Sequence, residues 1–193
     1  METGKREALS TLLRSARERS REHVSSLPVL LENGNYGVAV ALLRQEIDTF
    51  VRLVYLNAIG KHSALEMIED FAATKRLRIR DGTKKRIISE REMVELAAPS
   101  YHWVEPTYRL SCNLIHFSTF HDYQSTDPFS GISDDDRRAI IKFLHDYHGY
   151  SDPDIDMTRF VRVLPNVMDK IARHVAGNCA TLEQTFAPDT GAM

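Results

Sequence analysis

The sequence predicts an all-α protein: a bundle of about six helices carrying a small β-hairpin insertion. Three observations predict it. Apolar residues recur every three to four positions through most of the 193 residues, the period of helices buried along one face. Short turn signals such as Asn33-Gly34-Asn35, Gly60 and Pro99-Ser100 separate these stretches, so neighbouring helices should run antiparallel. The period changes to that of strands only once, between Leu77 and Ile88. One helical domain over 1-193 is expected, with the hairpin at about 76-88 and a frayed tail at about 187-193.

Each element follows from its residues. From Lys5 to about Leu31, Leu9, Leu12, Leu13 and Ala16 form one apolar stripe opposite Arg and Glu, and Pro28 should break or restart the helix. Tyr36 to Ile59 is apolar around much of its circumference, through Val40, Leu43, Ile47, Phe50, Val51, Val54 and Leu56. A helix of that kind belongs at the centre of a bundle, with Gly60 as its C-cap. Its charges, Arg44, Glu46, Asp48 and Arg52, either sit solvated and paired on an exposed face, or place Arg44 or Glu46 in a polar pocket within the bundle. Ser63 and Glu66 have capping-box spacing and should open a helix to about Lys75. Leu77-Arg-Ile-Arg and Lys84-Lys-Arg-Ile-Ile88 flank Asp81-Gly82 as two short strands about a turn. Such a hairpin needs helices to lean on.

Ser89 and Glu92 form a second capping box, for a helix through Ala98. A helix over about Tyr101 to Phe120 has Trp103, Leu110, Leu114 and Phe117 as its stripe, and Pro106 either kinks it or lies in its first turn. A loop over 121 to 136 precedes a helix whose first turn holds Asp134, Asp135 and Asp136, where acids suit the dipole, and which stops at Gly149. The last helix covers about Thr158 to Leu182, interrupted or kinked at Pro165.

Composition narrows the function. The net charge of −2 gives no global attraction to nucleic acid, so any such site must be local. Two cysteines, Cys112 and Cys179, make no disulfide framework and no CxxC pair, which fits a reducing compartment. The N-terminal stretch has no apolar signal region, and no run approaches the ~18–20 apolar residues of a membrane span. A cytoplasmic protein with no membrane partner is expected. No phosphate-binding glycine loop, nucleophile elbow or zinc motif is present, and no metal or other cofactor is expected.

The residues that can carry chemistry lie between positions 108 and 118. Arg109, Asn113 and His116 are four and three residues apart and share one helical face, beside the stripe of Leu110, Leu114 and Phe117. An arginine grips a phosphate through two donors, and a histidine transfers protons near neutral pH. Together they suit cleavage of RNA without a metal, because the 2′-hydroxyl supplies the nucleophile. Arginine, six residues, then histidine on a late helix of an α-bundle resembles the Rx4-6H motif of the HEPN superfamily. That resemblance implies a metal-independent endoribonuclease of the toxin–antitoxin or phage-defence kind. It implies a homodimer composing the site from two motifs, RNA as substrate, and an antitoxin protein as partner. Arg109 and His116 would be its catalytic pair. Leu110 stands where the family usually has a polar residue, a part that Asn113 would take from the same face.

Three other readings stand beside it. The same surface could belong to a non-catalytic helical module binding RNA or protein, with Arg109 paired to Glu105 or Glu46. His121-Asp122, with His145-Asp146 and His148 nearby, could bind a divalent metal as HD-type phosphohydrolases do. The set is incomplete, and the plainer role of His121 and Tyr123 is to order the 121–136 loop or to form the rim of the Arg109/His116 site. The basic hairpin, above all Lys84, Lys85 and Arg86, could bind RNA phosphates, or could be a charged edge that blocks strand-to-strand aggregation.

Overall fold

The computed structural model describes residues 3–115, 122 and 125–187. Among them are seven α-helices and one two-stranded antiparallel sheet, an all-α bundle with a small β insertion. In chain order these are α1 (Thr3–Glu32), α2 (Tyr36–Ala58), α3 (Lys61–Thr74), β1 (Arg78–Asp81), β2 (Lys84–Ile87), α4 (Glu90–Ala97), α5 (Val104–Ile115), α6 (Asp134–His148) and α7 (Met157–Phe186). Phe117, His121, Tyr123 and the tail beyond Ala187 lie outside the described residues.

Helix α2 is the centre. It packs against α1, α4, α5 and α7, and Val40, Leu43, Ile47, Phe50 and Val51 along it are fully buried. The core continues through Leu110 and Leu114 of α5 and through Leu164, Val167, Ile171, Val175 and Cys179 of α7. No described helix is long and apolar enough to cross a membrane.

Helix ends follow the chemistry of their residues, with four differences from the sequence expectation. Ile59, not Gly60, is the C-cap of α2, its N–H donating to the Tyr55 carbonyl, and Gly60, at φ +80°, instead caps the start of α3, its carbonyl accepting from Ala64 N–H at 3.0 Å. Helix α3 therefore starts before Ser63, which falls in its first turn and makes no capping box. Pro28 does not break α1, because it lies in the last turns, where the ring removes a single hydrogen bond and the adjacent Leu27 is anchored in the core. Pro165 does not interrupt α7 either. Val161, Leu164, Val167 and Met168 bury themselves on both sides of it, and tertiary packing overrides the local penalty.

Ser89 does form its capping box with Glu92. Pro106 sits in the first turn of α5. Ser133 caps α6, whose three acids occupy the N-terminal turn, and Gly149 closes it in the left-handed region at φ +63°. The hairpin pairs Arg78 with Ile87 and Asp81 with Lys84, and β1 leans on α3.

Candidate functional site

The outward face of α5 carries Arg109 and Asn113. Pro106, Thr107, Leu110, Ser111 and Leu114 bury the opposite side, which fixes the helix and turns Arg109 to solvent with 54% of its side chain exposed. Its guanidinium is clamped between two carboxylates. One is Glu105, a turn earlier on α5; the other is Asp136 Oδ1, 3.0 Å away in the first turn of α6. The Glu105 hydrogen bond, with Asp136 nearby, holds the guanidinium pKa above its ordinary value, so the charge is permanent. Arg109 is thus oriented rather than buried, and it pairs with Glu105 rather than Glu46. His116 lies outside the described residues, so only Arg109 and Asn113 are placed.

Glu46 has a different role. It is fully buried between α1 and α2, where Ser20 donates its hydroxyl to one carboxyl oxygen and the His23 Nδ1 lies 2.7 Å from the other. Sequence reasoning did not find this triad, because Ser20 and His23 lie 26 and 23 residues away. A charged residue on a helix apolar nearly all round was the signal, since such a group must be paired.

Arg44 does line a polar pocket. A cleft of about 670 Å³ opens between the start of α2, α1, α4 and the end of α5. Arg44, 5% exposed, is at its base. Its guanidinium lies 4.1 Å from the centre of the Tyr108 ring, Nε donates to Cys112 Sγ at 3.3 Å, and Nη2 donates to Glu90. The charges continue as a chain. Glu90 also accepts from Arg52 at 3.3 Å, Arg52 donates to Asp48 at 2.8 Å, and Arg19 reaches Asp48 at 3.4 Å. Among the described residues three arginines alternate with two carboxylates, leaving one positive charge in excess. Val38 and Ile115, 54% and 41% exposed, form an apolar part of the cleft's lining.

The basic hairpin is partly neutralised, by the two carboxylates of Asp70 and Glu92. Lys85 pairs with Asp70 at 2.9 Å and Arg86 with Glu92 at 2.6 Å, while Lys84 is exposed. Arg86 and the Ser89 hydrogen bonds hold the Glu92 carboxyl down at about 2.

The His-Asp pairs do not assemble. Asp122 is exposed and His121 is outside the described residues. His145 Nε2 lies 2.9 Å from the Asp152 carbonyl oxygen, and Asp146 pairs with Lys142 at 2.7 Å. Among the described residues no three His, Cys, Asp or Glu side chains converge as a metal site would require.

No protein-family model, curated protein or solved structure matches this chain, so the functional argument rests on its own residues.

Proposed function

We propose that this protein is a HEPN-like, metal-independent endoribonuclease that works as a homodimer, of the kind found in toxin–antitoxin and phage-defence systems. Arg109 would bind the scissile phosphate, His116 would act as general acid or base, and Asn113 would orient one of them. The observation that supports this is the setting of Arg109. It is solvent-facing, held in one orientation by Glu105 and Asp136, and located on α5, whose last described residue, Ile115, directly precedes His116 in the sequence. A phosphate reaching Arg109 would exchange with one of these carboxylates, and exposed pairs are weak enough to exchange, at about 0–1 kcal/mol. Val38 and Ile115, exposed beside the end of α5, offer an apolar surface for a two-fold partner to cover.

The test is cleavage of a labelled single-stranded RNA by the wild type and by Arg109→Ala. Loss of cleavage with an unchanged circular dichroism spectrum and melting temperature supports the assignment, and full cleavage by the variant removes it. One observation favours a second reading, a non-catalytic helical module. Arg109 already has two acid partners, whereas the Arg44 cleft carries an uncompensated charge among the described residues. In that case Arg109→Ala leaves binding intact, and no preparation cleaves RNA.

A further inference from the structure

A second recess lies at the other end of the α5–α6 pair. About 300 Å³ opens between the entry to α5, the later turns of α6 and the middle of α7. Its walls are aromatic. Trp103 is stacked between Phe50 and Phe143, at 5.6 and 5.2 Å with ring planes 22° apart in each case. Tyr101 meets Phe50 edge-on at 4.9 Å, and Tyr147 forms the outer lip, 61% exposed. One cation points at these rings: Lys170 Nζ is 3.2 Å from the centre of Tyr147 and 5.5 Å from that of Phe143.

Lys170 makes no ion pair among the described residues. The other charges at the recess are matched, Lys142 by Asp146 and, a turn beyond Lys170, Arg173 by Asp169 at 3.0 Å. Burial, then Lys170 and Arg173, depresses His174, leaving it neutral at pH 7. The recess therefore carries one unmatched positive charge, against ring faces that offset only part of the ammonium's lost hydration. Trp103 and Phe143, 6% and 4% exposed, back the recess, and Tyr147 presents its ring to solvent; an exposed ring with a spare cation on it suits a nucleotide. The base stacks, the phosphate takes the ammonium, and any base is accepted because every base has a π-face.

The recess and the Arg109 clamp both draw on the early turns of α6. Asp136, which holds Arg109, is three residues before Ala139 on α6, a rise of about 4.5 Å, and Ala139 is a wall of the recess.

We propose that this recess is a base-stacking subsite for single-stranded RNA, holding a nucleotide near the one at Arg109, with the exposed Tyr147 ring taking the base and Lys170 moving off that ring to take its phosphate. The assignment of RNA rests on the function proposed above, but the test is independent of cleavage. Trp103 is the only tryptophan of the chain, so its fluorescence reads the recess directly. The probe is a 2′-O-methyl hexa-adenylate, which can bind but cannot be cut, titrated into the full-length protein, with adenosine monophosphate as a second arm.

Saturable quenching is expected, weakened about ten-fold by Tyr147→Ala and by Lys170→Ala, with unchanged circular dichroism. Quenching by the mononucleotide alone also upholds the stacking site but removes the neighbouring position at Arg109. Absence of quenching, or quenching that neither substitution alters, overturns the proposal. If RNA is never cleaved yet quenching follows the two substitutions, the subsite stands and the nuclease fails. If RNA is cleaved without quenching, the reverse holds.

Discussion

Replacing Glu46 with alanine should be among the most destabilising single changes in this protein. Glu46 has no exposed surface and accepts from two buried partners, the Ser20 hydroxyl and the His23 ring. Alanine leaves both without an acceptor, and each unmet buried group costs about 1–3 kcal/mol. Removing one member of a buried charged cluster typically costs about 3–5 kcal/mol. For a chain of this size each kcal/mol moves the melting temperature by about 2–4 °C, so the midpoint should fall by about 6–20 °C. The assay is urea unfolding, monitored by circular dichroism at pH 7.5 and fitted as a two-state transition. The control is Ser20→Ala/His23→Leu/Glu46→Leu, which removes the whole polar set. It should recover most of the loss, because replacing both sides of a buried pair by apolar groups is often near neutral. A loss below about 1 kcal/mol for Glu46→Ala, or a triple variant less stable than the single one, would refute the view that α1 is fastened to α2 by a closed buried triad.

Other perturbations test the charges and the assembly. Burial, then Lys170 and Arg173, depresses His148 to about 4 and His174 in the same direction. The unfolded chain then binds protons that the folded one refuses, so stability is complete above about pH 6.5 and declines as pH falls toward 4. Discounted for partial exposure, the loss at pH 5 in urea titrations should be about 1–2 kcal/mol, and smaller in His148→Gln; an identical loss in that variant contradicts the assignment. In the hairpin, Lys85 and Arg86 already have acid partners. Lys84→Ala/Lys85→Ala/Arg86→Ala should therefore lower the salt slope of RNA binding by only about 0.7, one phosphate on a single strand. No change in slope would assign these charges to edge protection. Light scattering at tens of micromolar should show a dimer that Ile115→Asp converts to monomer, and a monomeric wild type would count against a composite site.

The elements that were legible in the sequence are those set by local chemistry. The central place of α2 followed from its all-round apolar surface, the hairpin from the change of period around Asp81-Gly82, and the start of α4 from Ser89 and Glu92. Pro28 misled, because whether a proline ends a helix depends on what the flanking residues bury, which no local rule contains. Sites were harder for a related reason. Arg44 meets Glu90 and Cys112 across 46 and 68 residues. The Phe50–Trp103–Phe143 stack draws on three separate parts of the chain. Helical period tells which face a residue occupies but not what the fold brings opposite it. Arg109 and Asn113 were readable because their face belongs to one helix; the Asp136 partner of Arg109 was not.

The central claim is tested most directly by RNA cleavage in EDTA by the wild type, Arg109→Ala and His116→Ala. The account predicts that the wild type cuts single-stranded RNA with EDTA present. It predicts that His116→Ala lowers the rate by about 10²- to 10⁴-fold, the loss of a general acid–base group, with an unaltered melting temperature. Cleavage that EDTA abolishes, or a His116→Ala protein that cuts at the wild-type rate, would contradict it.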